Sequence, residues 1–330
     1  MQSPDCDPSN AVAQQNARGE MIVVNKLAGA IQFFTLDGSN KLGELSMPKF
    51  PHEVVITPDG TTACVSIYGH GVFNKNSENP GREVVLIDLA TRSIKASMDV
   101  SPYRAPHGMV FDGHGLLWVS CDLSGVVIAL DLSERKIVAV VKTESFGTHW
   151  LAVTPDGRKI YASNKHFPFA AVIDTEARTL ARKIPLEQGS EGLAMSPDGS
   201  RLFVMAQRPQ QIYVIDTASD TVVDVVPLSG LTPTPADRNP QKRVKVAPDG
   251  RHLLMTSFNT GQIVIAPTAN LTDQATLEVE KGPMGITFSG PDRAYVMNHD
   301  QGSISMVDIN ARRVIGRFET LPGPETLALF

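Results

Sequence analysis

Short apolar runs closed by polar turns recur along the chain from Met21 to its end. Ala63–Ile67, Leu116–Cys121, Lys159–Asn164, Leu202–Ala206, Leu253–Ser257 and Ala294–Asn298 are apolar almost throughout, as expected of strands packed on both faces. Many are preceded by a shorter run ending in Pro-Asp-Gly, at 58–60, 155–157, 197–199 and 248–250. Proline presets that turn and glycine tolerates positive φ, so the chain reverses there. A third run ends apolar-apolar-Asp, as in Leu86-Ile87-Asp88, Val172-Ile173-Asp174, Val214-Ile215-Asp216 and Met306-Val307-Asp308. A more polar fourth run follows, such as Ile94–Val100 or Thr221–Val226.

The unit repeats. Its opening reads Pro51–Ile56, Pro106–Phe111, Thr148–Val153, Ser190–Met195, Lys242–Ala247, Pro283–Phe288 and Pro324–Leu329. Second positions are separated by 55, 42, 42, 52, 41 and 41 residues. A period of about 42 with two insertions fits four-stranded propeller blades. The seventh opening ends the chain, and residues 20–47 supply its partners as Met21–Asn25, Ala30–Asp37 and Leu42–Ser46. The expected fold is all-β: a seven-bladed β-propeller of antiparallel blades, closed by N-terminal strands pairing with the C-terminal strand. It occupies residues 20–330 as one domain after a polar extension, 1–19. Closure removes long exposed edges.

Tyr161-Ala162-Ser163-Asn164, Tyr295-Val296-Met297-Asn298 and Val23-Val24-Asn25, with the Ile-Asp-Thr and Pro-Asp-Gly pieces, resemble the YVTN-repeat β-propeller family. The resemblance covers residues 20–330. It implies the same fold, with lactone hydrolases, muconate cycloisomerases and streptogramin-type lyases as functional analogues. Those place His, Glu and Arg from inner strands around a substrate. Such folds serve enzymes, binding proteins and scaffolds alike, and the family's frequent export implies a periplasmic or secreted location.

Composition narrows the partners. The 330 residues carry 30 Lys+Arg against 35 Asp+Glu, a net charge of -5 that argues against a broad nucleic-acid face. No apolar run is long enough for a membrane helix. The first 19 residues lack a signal's basic start and apolar stretch, which fits either a cytoplasmic protein or one whose leader has been removed. Cys6, Cys64 and Cys121 form no disulfide framework or CxxC site, and Cys121 is expected as a free buried thiol. No phosphate loop, nucleotide fingerprint or nucleophile elbow occurs, so no nucleotide or organic cofactor is expected.

Topology sorts the chemistry. Links into first strands and from second to third strands share one face of a propeller. His52, His107 and His149 open first strands, and His70, His166 and His299 lie in second-to-third links. His114 and His252 fall on the Pro-Asp-Gly face. The two insertions, 68–81 and 228–241, also lie on the histidine face, where insertions in repeat arrays build binding surfaces. Around the axis, one repeat position reads His52, His107, His149, Glu191, Arg243, Met284 and Glu325. A single histidine in such a strand is ordinarily a packing or hydrogen-bonding residue. Three in register with a carboxylate make a ligand set for a divalent transition metal, Zn, Cu, Fe or Ni.

The expected ligands are therefore His52, His107, His149 and Glu191. His149, Glu191 and Arg243 form the expected reacting trio, a base pair and an anion holder. Tyr68, His70, Tyr103, Arg104, His166, His299 and Glu325 are the expected substrate contacts. Lys26, Asp122, Lys165, Gln207 and Phe258 complete a rim, with Asn25, Asn164 and Asn298 as loop caps and Trp118 and Trp150 as inter-blade core. The reading is a metal-dependent hydrolase, lyase or isomerase acting on a small organic molecule at the central mouth. Two alternatives stay open: a non-catalytic propeller binding a protein, peptide or metal on that face, and a copper-dependent redox enzyme.

Overall fold

The computed structural model describes residues 19–48, 50–69, 79–229 and 243–330. They form seven four-stranded antiparallel sheets with no helix among the described residues, as the repeats predict. Blades 1 to 7 open with Pro51–Ile56, Pro106–Phe111, Thr148–Val153, Ser190–Met195, Val244–Val246, Pro283–Phe288 and Pro324–Leu329. Each opening strand contacts those of its two neighbours, which closes the circle. In blade 7, Pro324–Leu329 pairs with Glu20–Asn25, followed by Ala30–Thr35 and Lys41–Ser46. Leu327 lies opposite Val23 and Leu329 opposite Met21. The expected extension at 1–19 lies outside the described residues except for Gly19.

The core sits between blades. Ile22, Val24 and Phe33 of blade 7 pack on Val54, Val65 and Val85 of blade 1, and equivalent layers fill the other gaps. The turns obey local chemistry. Asp59 Oδ1 accepts from Thr57 Oγ1 (2.6 Å) and the Thr61 amide (3.1 Å), and Gly60 has φ 71°. Asp88 and Asp308, which close third strands, each accept an amide three residues on at 2.8 Å.

One irregularity recurs at the openings. In six blades the pairing of first and second strands slips by one residue just after the strand begins, as between Pro51 and Val54. Such a bulge places two consecutive residues opposite one, so both second and third positions turn toward the axis. A hydroxyl on the second strand accepts the third-position amide: Ser66 from Glu53 (3.1 Å), Ser120 from Gly108 (2.9 Å) and Ser163 from Trp150 (3.0 Å).

That hydroxyl corrects the register of blade 5. Thr256 Oγ1 accepts from Arg243 N (3.2 Å), and Val244 pairs with Met255 as Val54 pairs with Val65. Arg243 is therefore the equivalent of Glu53 and Trp150, not of His52. The expected alignment was displaced by one residue because the insertion at 228–241 removes any fixed spacing on its N-terminal side. At the third position, Gly108 and Gly285 reflect close strand approach, since a Cβ would lie 2.7 Å from His149 O and 2.5 Å from Glu325 O.

Ring closure yields a stability prediction. Removing residues 324–330 deletes the partner of Glu20–Asn25 and uncovers fully buried Met21 and Val23. Losing Leu327 and Phe330 alone costs about 5 kcal/mol or more, so the melting temperature should fall by about 10 °C or more. Calorimetry and gel filtration check this; a monomer with unchanged melting would contradict it.

Candidate functional site

The strand openings gather His52, Glu53, His107, His149, Glu191, Arg243 and Glu325 at the mouth of the axis. Ends of second strands add Lys26, Tyr68, Asp122, Lys165 and His299. All twelve are between 1% and 7% exposed. The histidine arc exists. Ring centroids of His52 and His107 are 4.3 Å apart at 75°, and those of His107 and His149 are 3.6 Å apart at 36°.

Charges fall into two groups. Asp122 Oδ2 accepts from Tyr68 Oη (2.8 Å) and Lys165 Nζ (2.9 Å), and lies 3.4 Å from His149 Nδ1. His149 Nε2 lies 3.2 Å from Glu191 Oε1, while Gln207 donates to Glu191 Oε2 at 3.2 Å. The second group centres on Arg243, whose Nη2 donates to Glu53 Oε1 and Glu325 Oε1, both at 2.9 Å. Blades 5 and 1 lie on opposite sides of the channel, so Arg243 bridges the axis. Its guanidinium also lies over Trp150 at 4.4 Å. Glu325 Oε1 is 3.2 Å from His52 Nδ1, and Oε2 is 3.5 Å from His299 Nε2.

Burial sets the protonation states. Desolvation, reinforced by nearby Lys26 and Arg243, holds His52 well below the ordinary histidine pKa. Desolvation, with His149 and His52 adding to it, does the same for His107. Both imidazoles are therefore neutral near pH 7. Burial pushes Glu53 up to about 7 against the pull of Arg243. Burial would also raise Glu191 and Glu325, but His149 and Lys165 lower the first, and Lys26 and Arg243 the second. Desolvation lowers Lys26, and burial followed by Asp122 raises Tyr68 far above its ordinary value.

The expected residues meet different fates. Tyr68, His299 and Glu325 stand inside the cluster. Arg104 is exposed and donates to Leu123 O at 3.1 Å, and Tyr103 packs into the apolar layer between blades 1 and 2. His166 is exposed, 5.1 Å from the Phe146 ring. None of these three is brought to the arc. His70, and most of both insertions, lie outside the described residues. Of the expected reacting trio, His149 and Glu191 meet at 3.2 Å, while Arg243 donates to Glu53 and Glu325. Trp150 is half-buried and lines the axial cavity, whereas Trp118 is core, donating to Asp112 Oδ2 at 2.7 Å. Asn164 Oδ1 caps its loop through the amides of His166 and Phe167. Cys121 is a free buried thiol.

Glu53 is the site residue that the sequence reading missed. Strict strand alternation would send it away from its neighbour His52, and only the bulge turns both inward. Ligand atoms of His52, Glu53 and His107 all lie within 4.8 Å of one another. His149 and Glu191 are outside that group and face each other instead. Buried polar atoms are nearly always hydrogen-bonded. Here Lys26 Nζ, His52 Nδ1, His107 Nδ1, His149 Nδ1, His299 Nε2 and Glu325 Oε2 make no hydrogen bond among the described residues. These six stand together at the mouth, whereas others, such as Arg92 Nε and His252 Nδ1, lie away from it.

No protein-family model and no curated protein sequence matches the chain. Solved structures match its fold. Kuenenia stuttgartiensis hydrazine synthase aligns at TM-score 0.71 and 19% identity, over 84% of this chain and 88% of that one. A functionally unknown protein from Desulfotomaculum acetoxidans aligns at 0.72 and 12%, over 94% and 98%. Dihydro-heme d1 dehydrogenase NirN, in complex with DHE, aligns at 0.65 and 15%, over 98% and 67%. At these identities the likeness establishes the seven-bladed propeller fold.

Two predictions follow from burial. Arg243→Met leaves Glu53 and Glu325 without their buried cation and should cost about 3–5 kcal/mol, partly recovered with Glu53→Gln and Glu325→Gln; chemical denaturation measures this. Because the folded state holds His107 below its unfolded pKa, its contribution is present above about pH 6.5 and is lost as pH falls. His107→Gln should flatten the acid-side stability slope by about 1.4 kcal/mol per pH unit, read from urea unfolding at pH 5.5 and 7.5.

Proposed function

We propose that the central mouth binds a divalent transition metal through His52, Glu53 and His107, and that the propeller acts there as an enzyme on a small organic molecule. The observation carrying this reading is three buried donors within 4.8 Å of one another, two of them neutral imidazoles with Nδ1 unbonded. Two imidazoles and a carboxylate suit Zn, Fe, Cu or Ni. They leave coordination positions for water or substrate, where such a metal acts as a Lewis acid.

The remaining residues have distinct tasks. Arg243 neutralises Glu53 and Glu325. His149 and Glu191, 3.2 Å apart, form the pair that takes or returns a proton, with Asp122 fixing the other ring nitrogen. Tyr68 and Lys165 fix Asp122 in turn. This fits hydrolase, lyase or isomerase chemistry beside a carbonyl. A small-molecule occupant is in keeping with the complex of a similar propeller, NirN, with DHE. The Tyr161 and Tyr295 strand tags support placing residues 20–330, as one domain, among YVTN-repeat propellers.

The test is metal analysis and cobalt titration of untagged protein, followed by absorption spectroscopy. About one metal per chain is expected. His52→Ala, Glu53→Gln and His107→Ala should lose it, while His149→Ala should keep it. A protein that neither contains nor acquires metal would overturn the reading, as would full retention by His107→Ala.

A further inference from the structure

Below the mouth, toward the Pro-Asp-Gly face, the axis opens into a cavity of about 470 Å³. That lies within the range of roughly 300–1,000 Å³ typical of small-molecule sites. Glu53, Trp150 and Arg243 form its ceiling, and Pro248 marks its far end. The walls come from the fourth and fifth positions of the opening strands, among them Val54, Val55, Val110, Thr287 and Ala328. In the corrected register, six blades carry Val55, Val110, Ala152, Ala194, Thr287 and Ala328 at the fifth position, and blade 5 carries Lys245. Among the described residues lining the cavity, Lys245 is the one ammonium, below the charged pair Glu53 and Arg243 and beside Val55, Val110, Thr287 and Ala328.

Lys245 is not compensated as Arg243 is. Arg243 is matched by two carboxylates, whereas Lys245 makes no ion pair or hydrogen bond with any described residue. Its Nζ lies 5.7 Å from the Trp150 ring centre. The side chain is exposed along the cavity, and the surrounding protein lowers its pKa by desolvation, opposed in part by the Glu53 carboxylate. Exposed on the cavity and without a bonded partner, the ammonium is open to an anion that enters from the channel. Beyond it, Ile56, Phe288 and Leu329 line the cavity with hydrocarbon.

We propose that this channel binds a small carboxylate with an apolar body, its anion on Lys245 and its hydrocarbon against Ile56, Phe288 and Leu329. One compact ammonium matches one carboxylate, whereas a phosphate draws on several donors or an arginine fork. The apolar walls supply the remaining affinity by burial, about 25 cal/mol per Å² removed from water. The cavity shares Glu53 and Arg243 with the mouth, but Lys245 and the apolar walls lie outside the proposed ligand set.

The experiment uses decanoate as probe and decanol as its uncharged counterpart, titrated calorimetrically in EDTA. Decanoate should bind saturably at about one per chain, more tightly than decanol. Lys245→Met should weaken decanoate at least about tenfold, near 1.4 kcal/mol, with decanol unaffected, and Lys245→Arg should retain decanoate binding. His107→Ala should also retain it, which separates this site from the metal. Should Lys245→Met fail to fold, Ala328→Trp, which fills the channel, must abolish binding. No saturable decanoate binding, or equal affinities in Lys245→Met and the parent protein, would overturn the proposal.

Discussion

Most charges on the axis of this closed ring of strands stand in sets that compensate one another. Seven opening strands converge there, and bulk water is largely excluded from the side chains at their ends. Isolated charges at such depth would neutralise or prevent closure. Arg243 shows the constraint most clearly, reaching across the axis to Glu53 and across to Glu325, two residues far from it in sequence. Asp122 does the same for Lys165 and Tyr68. Removing one partner therefore disturbs both the stability of the ring and the chemistry of its mouth.

The bulge at the strand openings is what makes so dense a cluster possible. A regular strand would present one residue of each pair to the axis. The slipped register presents two, so that the second positions build the mouth and the third positions build the layer between mouth and channel. Glycine at 108 and 285 lets neighbouring backbones approach, and the room left in that layer is taken by Glu53, Trp150 and Arg243. The same frame carries a polar mouth above and a mostly apolar cavity below, separated by a cation-π and ion-pair floor.

Much of this was legible in the sequence. Pro-Asp-Gly turns, Ile-Asp strand ends and the period near 42 determine blade number, strand order and the closing partner, because each is a local backbone requirement repeated many times. His52, His107 and His149 were legible as one arc because equivalent positions in a closed ring must meet. Glu53 was not, since its inward turn comes from a bulge that alternation does not anticipate. Arg243 was assigned to the wrong layer because its blade begins after a long insertion and carries no histidine to anchor the alignment. Trp150 looked like core because it lies inside an apolar strand, yet the third position faces the axis. Tyr103, Arg104 and His166 lie on the expected face of the ring. Connection topology specifies a face, and it does not specify distance from the axis.

In the proposed function, the neutral imidazoles of His52 and His107 and the Glu53 carboxylate form a metal site at the mouth of the ring. A crystal grown with cobalt and measured on both sides of the cobalt absorption edge tests this most directly. A single anomalous peak is expected at the mouth, within bonding distance of all three side chains, with Arg243 still bridging Glu53 and Glu325. Three side chains packed against each other with no anomalous density between them would contradict it.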